Sequence, residues 1–428
     1  MQITLSYGAT GLSLSLPDPW DVHVVRKKPM PALDDPAGAV RRALARPEGS
    51  DTLRACARGK KTACILVCDV TRPVPNGLIL PALIGELAAA GMEPERITVL
   101  VATGLHRPNE GAELKEVLGD DPLPDGVRVA NHFARNDTDH ADLGQTPGGT
   151  PILLDRRFVK ADLRIAVGLV EPHFMAGYSG GRKVVAPGVA HERTISRIHC
   201  ARLLAEQRAA AGIIEGNPLH EELLQILAPV EPVLAVNAVI DEQRRLCRIN
   251  FGDIRESHRA AAAFCRRYAE VPVPRRYPTV IASAGGYPLD ATYYQTVKAM
   301  VAAANILEPG GALFVASACS EGLGSPEYAK AQRRLVRLEP ERFLDEIRSK
   351  ENAAVDEWQT QMQVRAMRAG SVRLFTEGLT DQEKSLTGAV AVDSLEDAVR
   401  KWVDRTGDTR VAVIPEGPYL IPRCTKSE

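Results

Sequence analysis

Two histidines stand where protons could be exchanged with a ligand. His106 and His173 each follow an apolar, strand-like run, in the loops ATGLHRP (102–108) and EPHFMAGYSGGRKVVAPG (171–188), and His199 lies beyond the second loop. An imidazole titrates near pH 6.5, so it can take and give a proton at neutral pH, and two of them at one cleft suit a two-base reaction. Taken singly, each could equally be a loop histidine bonded to backbone. A third strand-like run ends in DVTRPVP (69–75), with Asp69 and Arg72, and GGYPLDATYYQTVK (285–298) puts Gln295 and Lys298 three apart on one helical face. The other six histidines (23, 132, 140, 191, 220, 258) lack such a setting and read as surface or structural residues.

The run GYSGGRK (177–183) is neither a Walker A motif nor a G-x-G-x-x-G fingerprint. Its small residues let backbone N–H groups approach an anion, and Arg182 and Lys183 follow at once, so a phosphate-bearing ligand is one reading. The other is a glycine turn packed tightly against a neighbouring helix. No Cys/His spacing matches a structural zinc site, and NHFARNDTDH (131–140) lacks the glycine and terminal glutamate of a calcium loop.

The elements that must hold these loops alternate. TACILVC (62–68), a helical pattern over 78–91 and ITVLVATG (97–104) have the length of one strand–helix–strand unit with parallel strands. LRIAVGLV (163–170), a helix from about 194 to 210, PVLAVNAVI (232–240) and a helix over 253–270 continue the rhythm. VPVPRRYP (271–278) carries three prolines and marks a boundary, after which strands at 279–286, 311–317, 372–378, 389–393 and 411–417 alternate with helices near 293–307, 338–349 and 394–403. The expectation is an α/β protein of two domains, 1–272 and 273–428, each a mostly parallel sheet flanked by helices. Such sheets bind ligands outside the carboxyl ends of their strands, and a cleft between the domains is the expected active site.

Composition narrows the class. The chain has 428 residues, 45% of them apolar and 25% charged, with 53 Lys+Arg against 54 Asp+Glu, which excludes one small module and argues against disorder or a nucleic-acid-coating surface. The eight cysteines show no paired spacing, and Cys64 and Cys68 lie in an apolar run, so a reducing compartment is expected. The N-terminus MQITLSYGATGLSLSLP alternates like a strand or hairpin and has no basic stretch ahead of an apolar core, and no run approaches 18 apolar residues. A cytoplasmic protein that binds neither membrane nor nucleic acid is the expectation.

DVTRPVP, ATGLHRP, EPHFMAGYSGGRKVVAPG, His199, GGYPLDATYYQTVK and DEWQ (356–359), in that order, resemble the nickel-pincer-dependent lactate racemase family from about residue 65 to 360. The resemblance implies a pyridinium-3-thioamide-5-thiocarboxylic acid mononucleotide carrying Ni(II), made by cofactor-synthesis enzymes and tethered covalently to Lys183. His199 would be the protein's ligand to the metal, with Gly177, Ser179, Gly180 and Gly181 beside the cofactor. His106 and His173 match the acid/base pair, and Arg72, Gln295, Lys298 and Trp358 match positions around the substrate, with Asp69 and Tyr294 beside them. The implied reaction inverts C2 of a 2-hydroxy acid. The C–H there is a very poor acid, so it leaves as hydride to an electrophilic pyridinium carbon while a histidine takes the hydroxyl proton. The family acts on lactate, malate, aromatic hydroxy acids and sugar acids, so the resemblance leaves the side chain of the substrate open. Leu105 stands where many relatives carry a small hydroxyl residue. Two other readings remain at this point: a dinucleotide-dependent oxidoreductase, against which the missing fingerprint weighs, and a non-catalytic protein that binds the cofactor or a hydroxy acid.

Overall fold

The computed structural model describes residues 1–425. It comprises two compact units, the first made of Pro29–Ile198 and Arg208–Arg267, the second of Met1–Lys28, His199–Gln207 and the chain from Tyr268 onward.

The first unit is built on a six-stranded sheet in the order Leu246–Asp253, Leu234–Ile240, Leu163–Leu169, Ala63–Cys68, Ile97–Ala102, Arg128–Asn131. All neighbours are parallel except the first pair. Its central strands are unbroken apolar runs because helices cover both faces, and one of these, Asn76–Ala89, packs Leu80, Leu83 and Leu87 onto Ile65, Val67, Val99 and Val167. Cys64 is buried among them, and burial pushes its thiol far up, as for a small hydrophobe. From Ala63–Cys68 the chain moves outward on one side to Ile97–Ala102 and Arg128–Asn131, then returns to the other side for Leu163–Leu169 and Leu234–Ile240. The order thus reverses between Ala63–Cys68 and Leu163–Leu169, and such a reversal opens a crevice at the carboxyl ends of the two strands.

The second unit holds a six-stranded, wholly parallel sheet in the order Val390–Val392, Gly370–Phe375, Leu307–Ala316, Tyr277–Ser283, Arg410–Ile414, Asp21–Val24. The N-terminal hairpin, Gln2–Leu5 against Leu12–Ser15, lays Ile3, Leu5 and Leu14 onto Ile281, Phe314 and Val413. Among the described residues no helix is long and apolar enough to cross a membrane.

Both sheets are of the expected α/β kind, but the units interleave along the chain instead of meeting near 272. Asp21–Val24 joins the edge of the second sheet, and a four-residue, half-exposed strand gives no sequence sign of so distant a partner. The expected helix over 194–210 is two, Glu192–Ile198 and Ala201–Leu204, because Cys200 is extended (φ −61°, ψ 147°). His199 lies in this break, where the chain enters the second unit. The proline-rich stretch begins with a strand, Glu270–Val273, paired with Ile421–Cys424.

Candidate active site

The first unit gathers its polar residues at the strand reversal. Asp69 and Arg72 follow the central strand Ala63–Cys68, His106 follows the neighbour on one side, Ile97–Ala102, and Glu171 and His173 follow the neighbour on the other, Leu163–Leu169. A guanidinium loop is therefore flanked by one histidine loop on each side.

The two histidines are held differently. His106 Nδ1 lies 2.5 Å from Asp69 Oδ2. Asp69 is buried, which opposes ionisation, yet the bond from His106, the 2.6 Å bond from Thr71 Oγ1 and the charge of Arg72 hold its carboxyl below the usual range. An ionised carboxylate only accepts, so Nδ1 carries the proton and Nε2 carries the lone pair of the neutral ring. His173 is the reverse: its Nδ1 accepts from the amides of Met175 (3.3 Å) and Ala176 (3.1 Å), so the proton of the neutral ring sits on Nε2. Asp69, expected beside a substrate, acts here on His106.

Arg72 has Asp69 three residues before it, yet it pairs its Nη1 with Oε1 of Glu171. Sequence reasoning gave Glu171 no role; the signal was an acid two residues before a histidine in a strand-end loop. Its backbone is fixed from both directions, since Glu171 N donates to Ser179 Oγ (3.0 Å) and Ser179 N donates to Glu171 O (2.9 Å).

The glycine loop is used up by packing within the chain. At Gly177 (φ +77°) a Cβ would run into the Ile213 carbonyl, and at Gly180 (φ +74°) it would lie 2.9 Å from the Leu169 carbonyl oxygen. At Gly181 it would meet the His258 ring at 2.8 Å, and Ser179 Oγ donates to Leu169 O (2.8 Å). The tight-turn reading therefore accounts for these four residues without a ligand. Arg182, read from sequence as an anion partner, points inward: it is fully buried and donates to Ala176 O (2.7 Å) and His258 Nε2 (2.8 Å), bracing the loop. Lys183, next in the chain, is partly exposed. Desolvation, with repulsion from Arg72 and Arg182, pushes its amine down to about 7, so that a large share is neutral and nucleophilic at physiological pH.

In the second unit, His199 is buried against Trp358, with ring centroids 4.5 Å apart and an interplanar angle of 32°. The helix Glu357–Ala369 fixes that ring: Glu357 pairs with Arg334 and with Lys350 (2.8 Å), and Gln359 Nε2 donates to Tyr294 O (2.5 Å). Gln361 Nε2 donates to Ala201 O (2.9 Å), docking the segment that carries His199. Tyr294, Gln295 and Lys298 lie on the helix Tyr293–Ala304, and the buried Gln295 Oε1 finds no hydrogen-bond partner among the described residues. The structure thus brings Asp69, Arg72, His106, His173 and Lys183 to one sheet edge, and His199, Trp358 and Tyr294 into one connected group beside the Gln295–Lys298 face.

Comparison with known proteins bears on what this edge does. Residues 7–212 match the family model for the lactate racemase N-terminal domain, and residues 275–421 match that for the lactate racemase C-terminal domain. The chain belongs to the lactate racemase family. It is 30% identical over 434 residues to the lactate racemase of Thermoanaerobacterium thermosaccharolyticum, covering 98% of this chain and 99% of that one. It is 31% identical over 387 residues to the lactate racemase of Lactiplantibacillus plantarum, covering 89% and 90%. The structure of the Thermoanaerobacterium lactate racemase apoprotein superposes with a TM-score of 0.92 at 29% identity, over 99% of this chain and all of that one. A Thermotoga maritima protein (TM-score 0.64, 18% identity, 88% of this chain and 99% of that one) shares the fold alone. Membership of the lactate racemase family makes the chain an isomerase of the racemase type.

Proposed function

We propose that the chain inverts C2 of a small 2-hydroxy acid, lactate being the first to test, with a nickel-pincer nucleotide as cofactor. The observation that carries this reading is the order of the three loops: a carboxylate partner on the middle strand, Arg72, with a histidine on each flank. Inversion by way of a ketone needs a group that takes or returns the hydroxyl proton for each of the two enantiomers, which is what two flanking imidazoles provide.

The residues fit the cofactor in two respects. An amine poised near 7 at Lys183 suits a covalent acyl tether, and a buried imidazole steadied by a tryptophan, His199, suits a borderline metal. When bound, the pyridinium nucleotide would supply the acceptor for the hydrogen at C2. Arg72 binds the substrate carboxylate, Lys298 adds a second positive charge, and Gln295 offers its amide to the substrate oxygens. His106 takes the hydroxyl proton at Nε2, and Asp69 steadies the imidazolium that results. His173 serves the other face; to act as a base at Nε2 it must first shift its proton to Nδ1, giving up the Met175 and Ala176 amides. Trp358 holds His199 in place and, by its bulk, keeps water from the ketone formed between the two proton transfers.

The test is chiral analysis of lactate, malate and larger 2-hydroxy acids incubated with protein produced alongside the cofactor-synthesis enzymes. Racemisation with the C2 hydrogen retained, together with nickel and added mass on Lys183, is the expected result. A protein so produced that carries neither nickel nor added mass overturns the cofactor assignment.

A further inference from the structure

Arg72 already holds a carboxylate, and it belongs to the chain. Its Nη1 pairs with Oε1 of Glu171, across the two strand-end loops that border the sheet reversal. The side chains are 29% and 37% exposed, so a small solute reaches both. Glu171 cannot leave as a whole, because Ser179 clamps its backbone N–H and carbonyl. Only its side chain can turn aside.

We infer that Glu171 is a built-in competitor for Arg72, one that a substrate carboxylate must displace from the guanidinium. The inference rests on the reading of Arg72 as the substrate's carboxylate partner. Two carboxylates on one guanidinium repel each other, so a ligand that offers only a carboxylate gains little by replacing one that is permanently tethered. A ligand that also places a hydroxyl between His106 and His173 gains contacts that Glu171 does not make. The displacement costs both ligands alike, so it keeps weakly held simple carboxylates off the site at concentrations where 2-hydroxy acids, with their extra contacts, still bind.

The experiment titrates the folded apoprotein with propionate and with lactate, followed by calorimetry or NMR, in the parent protein and in Glu171→Gln, Arg72→Ala and the double variant. Glu171→Gln keeps the size and removes the charge, and thermal melts together with Glu171→Ala control for loss of structure. Glu171→Gln is expected to bind propionate about three- to fivefold tighter, the range of one partly exposed ion pair. Lactate should gain by a similar factor, and neither gain should survive in the double variant. Unchanged or weaker propionate binding in Glu171→Gln, with Arg72→Ala still weakening binding in the parent, overturns the inference and leaves Arg72 as the carboxylate partner. Binding that ignores Arg72 in every background removes both.

Discussion

His199 and Trp358 pack with ring centroids 4.5 Å apart, although the chain between them leaves their compact unit for the whole of Arg208–Arg267 before it returns. A buried indole against an imidazole contributes apolar contact and restricts the imidazole's rotation. Trp358→Ala should therefore destabilise the apoprotein by about 3 kcal/mol, the usual size of a large core truncation, while Trp358→Phe should lose less than half of that. Urea unfolding at constant m-value measures both. Under the proposed function, nickel retention by protein produced with the cofactor-synthesis enzymes should fall in the same order, because a loosened imidazole would make a weaker ligand.

Asp69 orients His106 through Nδ1. Asp69→Asn should lower turnover by about 10- to 100-fold, as losses of orienting partners do. It should also move the acid limb of the pH–rate profile to lower pH, because an imidazole without its carboxylate gives up its proton more readily. For a racemase the two enantiomers have an equilibrium constant of one, so kcat/KM must stay equal in the two directions. The inequality between His106 and His173 should appear only as opposed changes in kcat and KM for the two enantiomers.

Lys183 is held down to about 7, so at pH 7.5 it should be acylated by an amine-directed reagent ahead of the surface lysines, as peptide mapping would show. Arg72→Ala removes one of the repelling charges and should slow that labelling. The folded protein holds this lysine's proton more weakly than the unfolded chain does, so the cost of keeping the lysine in place is greatest below pH 7. Its effect on stability then fades as the pH rises toward the ordinary lysine value of about 10.4. Lys183→Met should flatten that part of the stability profile.

Gly177→Ala should cost about 2–3 kcal/mol, because the position combines φ +77° with a collision against the Ile213 carbonyl. The loss should be the same in apoprotein and loaded protein, since the crowding comes from the chain itself. Thermal melts of the two forms check this.

Much of the molecule was legible in the residues. The strand runs at 63–68, 97–102, 163–169 and 234–240 are continuous apolar stretches, and buried parallel strands produce that signal. The polar clusters after three of them marked the sheet edge correctly. Partner choice was not legible. Arg72 has Asp69 three residues away and takes Glu171 instead, because the alignment of neighbouring strands, which no local pattern encodes, brings the distant acid closer. The same holds for Arg182, whose charge suggests an anion until His258 and the Ala176 carbonyl turn out to enclose it. Asp21–Val24 was invisible as a member of the second sheet for the related reason that its partner lies at the far end of the chain.

That last pairing bears on how the protein is made. Arg410–Ile414, the strand that Asp21–Val24 joins, is translated about 390 residues after it. At about 5–20 residues per second the early strand waits roughly 20–80 s for its place. The first unit can close meanwhile, but the second sheet acquires this edge only after Arg410–Ile414 has been made. Ribosome-bound chains halted before residue 410 should thus carry an uncapped, aggregation-prone sheet, and chaperone demand should persist until Arg410–Ile414 is made.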